Sequence, residues 1–537
     1  MRRRSRTVTQ LAACAALLSC ACRSPATPAR LAVAPATADA AVPAYDVGAG
    51  RAAALAAIEK AKAAKLGAVT RDVSLPSIER LVQDADAVRA HVTDEKRDLA
   101  FVRRTLEAAR GYADVLSGGE DPYWYARGAF VKAYRSEWDG TLQPYALYVP
   151  RDYDDKRAWP LVVALHGASS NHRHMLRRVF GVDNRPGESD EEASRNEVTF
   201  PDVEALVVAP YGRGELMGYD GLGEEDVLRV IADVRRAYKI DPDRVSLTGL
   251  SMGGGGTWTI GLRHPELFAA LAPVCGVTDV RKWIKPDEAG DYDLKALAAL
   301  SPLAFAENAA HLRVFIFHGA ADPVVPVDDA RRMVERFKAL GWLGKSVTYT
   351  EYPGVDHRAW VPAYKDAALL RTLAEIKRDP RAPAAPRKPF PPDRAVPGLF
   401  GKSAPRERPH VYVYGTHGAP DAVAAARMLA EAMADWGPGV SARFAVRSDV
   451  EVSADEKAHR DLVLVGAAPL NALAPAARPV AGDAAFRLVT KSPFAKDHRV
   501  LVLGAATPAG FARLRRFAAH NADHWAPESN RDDVAVP

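Results

Sequence analysis

The sequence predicts an α/β protein built on a mostly parallel central sheet, with a helical segment before it and a smaller α/β domain after it. Three observations lead there. Short apolar runs rich in β-branched residues, "LVVALHG", "ALVVAPY", "RVSLTGL" and "RVFIFHG", end in Gly or Pro punctuation. Amphipathic stretches such as "EEDVLRVIADVRRAY" and "VDDARRMVERFKALG" separate several of them. The runs are continuously apolar, as strands covered on both faces by helices must be.

Taken in order, residues 1–19 read as an export signal. "MRRRSR" is a basic start, and "LAACAALLSC" is an apolar run too short to span a bilayer. Leu17-Leu18-Ser19-Cys20 resembles a bacterial lipobox, with Cys14 and Cys22 as competing sites. The mature chain is therefore expected outside the cytoplasm, as a cell-envelope lipoprotein anchored at Cys20 or as a secreted or periplasmic form. Residues 20–45, rich in Ala and Pro, read as a tether.

Residues 46–120 are helical in period, with Ile78, Leu81 and Val82, then Leu99, Val102 and Leu106, recurring at helix spacing. They are expected to support the body rather than cap a site. Residues 121–378 hold the strand runs named above together with "YALYVP", "LAPVCG" and "VTYTEYP". Residues 379–408, with "RDPRAPAAPRKPFPPDRAVPG", form a proline-rich linker. In 409–526, "HVYVYGTHG", "DLVLVGA" and "RVLVLGAA" restore the strand and helix alternation on a smaller scale. "LVGAAP" and "LGAATPAG" do not match G-x-G-x-x-G, so no nucleotide cofactor is expected.

Composition narrows the function classes. With 48% hydrophobic and 26% charged residues the chain is neither disordered nor a multi-span membrane protein. Its formal net charge is +5. Loss of Arg2, Arg3, Arg4 and Arg6 with the signal leaves about +1, which offers no electrostatic footprint for nucleic acid. Of four cysteines only Cys275 lies in the folded body, so stability must come from core burial rather than disulfides.

The chemistry centres on "LTGLSMGGGGTWTIG", where Ser251 stands in a G-x-S-x-G pentapeptide between a strand and a helix. A nucleophile there needs a base, an orienting acid and donors for an oxyanion. Asp322 in "FHGAADPVVP" follows a hydrophobic strand, and Pro323 denies it a helical continuation. His357 in "EYPGVDHRAW" again lies just past a strand. The order Ser, Asp, His is that of α/β-hydrolases. The Met252 N–H, at a helix N-terminus, is one expected oxyanion donor, and "LVVALHGASS" offers the other from Ala168 or Gly167.

His166 reads as an organiser of that loop. His166, Tyr211, Trp258 and Trp360 are candidates for the pocket wall, Trp258 and Trp360 also fitting a core role. His172 and His174 have an H-x-H spacing in a loop without a third ligand, so no metal is expected. Asp226 reads as a first-turn carboxylate, in or beside a loop that borders the cleft. Asp356 points away from its neighbour His357 and is a poor orienter.

"LYVPRDYDDKRAWPLVVALHG", "DPDRVSLTGLSMGGGGTW", "HPELFAALAPVCG" and "FHGAADPVVP" resemble the esterases and predicted peptidases of the α/β-hydrolase superfamily over about residues 125 to 375. The nearest groups are the feruloyl esterases, polyhydroxybutyrate depolymerases and prolyl-oligopeptidase catalytic domains. The resemblance implies triad roles for Ser251, Asp322 and His357, a carboxylic ester substrate, small or linked to polysaccharide, and no cofactor. Peptide hydrolysis and acyl transfer by the same triad are the alternatives. Prolyl oligopeptidases usually carry a β-propeller, and no segment here has that length or repeat, which favours esters.

Overall fold

The computed structural model describes residues 45–520 and 533–536, apart from 216–217, 220, 284–297, 299–300, 380–386, 390–409, 436–440, 476–479 and 497. The export signal, Cys20, the tether before Tyr45 and most of the proline-rich linker therefore lie outside the described residues. Asp46–Pro537 form one compact unit.

Its larger sheet contains β1 (Gly128–Arg135), β2 (Leu142–Val149), β3 (Trp159–Leu165), β4 (Leu206–Pro210), β5 (Ile240–Leu250), β6 (Ala270–Val274), β7 (Arg313–Gly319) and β8 (Val347–Tyr352). Their spatial order is β1-β2-β4-β3-β5-β6-β7-β8. The β1–β2 and β2–β4 pairs are antiparallel, and every later neighbour is parallel. Strand β1, "GAFVKAYR", escapes the apolar-run criterion because Lys132 interrupts it. That lysine is nevertheless buried, with Nζ 4.7 Å from the Tyr123 ring and 5.7 Å from the Tyr238 ring, and burial pushes its pKa down to about 8.

Both faces are covered, as the continuous runs require. Leu161, Val163, Leu247 and Ile316 face one core, under helices α6 (Leu222–Ala237) and α8 (Asp328–Ala339). Val162, Ala164 and Ala272 face the other, under α4 (His172–Val179) and α10 (Ala368–Glu375). Each fully buried Leu, Ile or Val contributes about 1.5–3 kcal/mol, which is how the body is held without disulfides.

Helices α1 (Val47–Lys62), α2 (Leu75–Ala90) and α3 (Glu95–Ser117) pack together, and α2 lies on the sheet edge, where Ser77 Oγ accepts the Ala133 N–H at 2.9 Å. The buried stripe of α3 runs through Phe101, Val102 and Leu106; Leu99, expected on it, is at the margin and 37% exposed.

The second sheet orders β9 (His410–Tyr414), β10 (Ala445–Ser448), β11 (Asp461–Val465), β12 (Ala485–Lys491), β13 (Arg499–Gly504) and β14 (Asp533–Val536) as β10-β9-β11-β13-β12-β14. Strands β10 and β12 were not legible as apolar runs, because Arg447 and Arg487 stand inside them.

Within the same unit the second sheet is joined to the larger one through the β1–β2 turn, β2 and the loop that precedes α6. The Ser441 N–H donates to the Arg213 carbonyl at 2.6 Å, and Gln143 Nε2 donates to the Ser441 carbonyl at 2.7 Å. The Arg213 guanidinium is enclosed and reaches Asp139 Oδ2 at 3.1 Å, an oxygen that also accepts the Arg443 N–H at 3.1 Å. Replacing Asp139 by Ala leaves Arg213 buried without its counter-charge. We expect Asp139→Ala to destabilise the protein by about 3 kcal/mol, read as a lower midpoint of chemical unfolding, with surface controls unchanged.

Candidate active site

Between β5 and α7 (Met252–Arg263) the chain turns through Ser251 at φ 53°, a conformation that costs a residue with a Cβ about 1–3 kcal/mol. The strain lifts the hydroxyl above the ends of the strands. The turn closes because the next residues have no side chains. A Cβ on Gly253 would stand 2.1 Å from the Leu165 carbonyl oxygen, and one on Gly254 2.4 Å from that of Val274. The first turn of α7 thus rests on the ends of β3 and β6. Gly255 is the exception, since a Cβ there would meet nothing closer than 3.8 Å.

Three loops converge on this hydroxyl. His357 Nε2 lies 2.9 Å from Ser251 Oγ, and His357 Nδ1 lies 2.7 Å from Asp322 Oδ2. The other carboxylate oxygen of Asp322 accepts the N–H groups of Val324 at 2.8 Å and Val325 at 2.9 Å. Burial alone would raise the Asp322 pKa. Hydrogen bonds from His318, His357 and the two amides outweigh it and hold the carboxyl well below the usual carboxylate range. Asp322 therefore stays ionised wherever an imidazole titrates. The Asp322 side chain is fully enclosed, whereas His357 is 16% exposed, so the site opens towards solvent on the imidazole side. Asp356 is exposed and accepts the Arg358 N–H, away from the imidazole.

The Met252 N–H, first in α7, has no acceptor within its own helix. Gly167 adjoins Ser251, since a Cβ added to it would stand 3.6 Å from Ser251 Cβ, and Ala168 follows it in an exposed position.

His166 is completely buried, and its contacts are with backbone: Nδ1 lies 2.8 Å from the Gly167 carbonyl and Nε2 3.0 Å from that of Tyr211. Its own N–H donates to the Tyr219 hydroxyl at 2.9 Å. It organises the loop, and its place on the pocket wall is corrected, because both ring nitrogens face main chain. Tyr211 is half-buried beside it. Trp360 stands edge-on to the His357 ring at 5.4 Å and is partly buried against the core under α4 and α10. Trp258, the other tryptophan weighed for the wall, is corrected to core: it is 1% exposed and packs against Phe337 of α8.

Two further readings change. His172 and His174 begin helix α4 rather than sitting in a loop, and His174 is held by Ser170 Oγ at 2.9 Å and Asn184 Oδ1 at 2.6 Å. Asp226 is not in the first turn of α6, whose acids are Glu224 and Glu225, and it is interior: it accepts the Tyr134 hydroxyl at 2.6 Å and the Gly212 N–H at 2.8 Å, so it ties the loop that starts at Tyr211 to the sheet.

One histidine that the sequence sets before a glycine, as His166 stands before Gly167, has a role at the site that this likeness does not give. His318, on β7 four residues before Asp322, places Nε2 2.9 Å from the Val325 carbonyl and 3.3 Å from Asp322 Oδ2. It shares its proton between the loop and the carboxylate and so fixes where Asp322 points. The signal was the spacing of His318 and Asp322 about a strand end, which a buried histidine without a role would also show. His318→Gln is expected to lower kcat about tenfold with KM little changed, and a rise in KM with kcat intact would contradict the positioning role.

A sheet in this order, a strained serine at the β5–α7 junction and Ser, His and Asp side chains in hydrogen-bonded series make an α/β-hydrolase fold that carries the arrangement of a serine-hydrolase triad. Comparison with known proteins agrees with that class. Residues 220–376 match the prolyl oligopeptidase family. A 134-residue stretch, 25% of this chain, is 30% identical to acyl-protein thioesterase 1 of Mycosarcoma maydis and covers 49% of it, so the chain spans about half the length of that curated relative.

Among solved structures, a thermostable esterase is 28% identical, covering 47% of this chain and 63% of its own, with a TM-score of 0.34. A ferulic acid esterase is 18% identical over 48% of this chain and 100% of its own, at 0.37. The acylaminoacyl peptidase of Pyrococcus horikoshii is 16% identical over 48% of this chain and 44% of its own, at 0.35.

Proposed function

We propose that the protein hydrolyses carboxylic esters, of the feruloyl or simple acyl type, through an acyl-enzyme on Ser251. The observation that carries this reading is the pair of hydrogen bonds from Ser251 Oγ to His357 Nε2 and from His357 Nδ1 to Asp322 Oδ2, at 2.9 and 2.7 Å. In the mechanism, Nε2 takes the serine proton as Oγ attacks the acyl carbon. The N–H groups of Met252 and of Ala168 or Gly167 receive the oxyanion, and the imidazolium is stabilised by Asp322. His357 then returns the proton to the departing alcohol, and water, deprotonated by the same nitrogen, releases the acid.

Trp360, edge-on to the His357 ring at 5.4 Å, offers aromatic surface to the acyl group. The likeness to an acyl-protein thioesterase supports acyl esters and thioesters, and the match of residues 220–376 to the prolyl oligopeptidase family supports peptide bonds as the second reading. Acyl transfer needs only an alcohol that intercepts the same intermediate. The test is a panel of short acyl esters, hydroxycinnamoyl esters, acyl thioesters and proline-containing peptide amides, with alcohol acceptors added and products separated. Ester cleavage well above amide cleavage is expected. Amide cleavage with negligible ester cleavage would overturn the substrate class.

A further inference from the structure

The base and its acid have a third neighbour that the mechanism leaves unused. Cys275 follows β6, which lies between the serine strand β5 and the acid strand β7. It sits at φ 41°, its N–H donates to the Phe317 carbonyl at 2.9 Å, and its thiol donates to the His357 carbonyl at 3.4 Å. The sulfur is thereby held at the main chain of His357, with Cys275 fully buried. Its Sγ, a ring nitrogen of His357 and a carboxylate oxygen of Asp322 all lie within 4.8 Å of one another, the one cluster of three such ligands found among the described residues. Asp322 Oδ2 lies 2.7 Å from Nδ1, which makes Nδ1 the ring nitrogen that an ion held by the carboxylate would meet first.

Thiolate, imidazole and carboxylate are the donors that zinc and softer divalent ions select. Bond lengths of about 2.0–2.3 Å around a tetrahedral ion put the ligand atoms about 3.5 Å apart. Closing on an ion therefore asks for a shift of about 1 Å at most, within reach of side-chain rotation.

We propose that Cys275, His357 and Asp322 form an inhibitory site for a thiophilic divalent cation such as Zn²⁺ or Cd²⁺. On binding, the sulfur–hydrogen bond breaks, its proton leaves to solvent, and the sulfur–metal bond forms. The cation takes the Nδ1 lone pair, so the imidazole proton moves from Nδ1 to Nε2. An Nε2–H facing Ser251 Oγ has no lone pair to accept the serine proton, and the base is disabled without displacement of the ring. The inhibitory consequence rests on the triad reading above; the binding of the cation does not.

The test titrates Cd²⁺ into the full chain while recording hydrolysis and the ultraviolet sulfur-to-cadmium charge-transfer band. Native protein should gain the band and lose activity together, both reversed by a chelator. Cys275→Ala leaves every other cysteine of the chain unchanged. It should hydrolyse at the native rate without metal, need at least about tenfold more Cd²⁺ for inhibition, and lack the Cys275 contribution to the band. Cys275→Ser serves the same comparison if the alanine variant folds poorly. Ser251→Ala should show the native band, which separates metal binding from the catalytic reading. Equal sensitivity of native and Cys275→Ala, or a native band no larger than that of Cys275→Ala, would overturn the site. A Cys275-dependent band without loss of activity would overturn the inhibition.

Discussion

Ser251→Ala is expected to lose about 10⁶-fold in kcat on any ester the native protein cleaves, with the fold unchanged. The hydroxyl is the one group removed. Alanine inherits the same φ of 53°, so the strain at the turn persists and the unfolding midpoint should hold. Ser251→Gly separates the two contributions further. Glycine adopts this conformation without the Cβ penalty, so that variant should be equally inactive yet more stable by about 1 kcal/mol. An alanine variant retaining a tenth of native activity would move the nucleophile to another residue.

The second large effect is at the orienting acid. In Asp322→Asn one side-chain oxygen keeps the amides of Val324 and Val325, which turns the NH₂ group towards His357 Nδ1. That nitrogen must then accept, so the ring proton is driven to Nε2 and faces Ser251. The same tautomer argument that governs the cation site predicts a loss of about 10⁴-fold in kcat with substrate binding largely intact. Parallel measurement of kcat and KM distinguishes this from misfolding, which would reduce the active fraction without a defined split. Because Asp322 is held ionised by its hydrogen bonds, the acid-side fall of native activity should follow imidazole protonation.

The parts of the site that could be read from the sequence share a physical cause. Ser251, Asp322 and His357 each follow the C-terminal end of a hydrophobic strand, in a turn of small residues, and parallel strands bring such ends to one edge of a sheet. Local period and punctuation suffice for that. They do not distinguish Trp258 from Trp360: both are large aromatics near a motif, and only the packing shows that one faces Phe337 and the other His357. His318 stands before Gly319 as His166 does before Gly167, and no local pattern shows that its ring reaches the carboxylate of Asp322. The Arg213–Asp139–Arg443 cluster joins residues far apart along the chain, and no periodicity announces a contact between two sheets. Strands β1, β10 and β12 were missed where a charged side chain, buried or partly buried, interrupts the apolar run.

The central claim is that Ser251 Oγ forms the covalent intermediate, and one measurement tests it most directly. The folded protein is treated with a fluorophosphonate, digested, and the modified peptide sequenced by mass spectrometry. The account predicts a single adduct on Ser251 in the peptide containing "GLSMGGGGTW", strongly slowed in Asp322→Asn and absent from Ser251→Ala. An adduct on a different residue, or an unreactive folded protein, would contradict it.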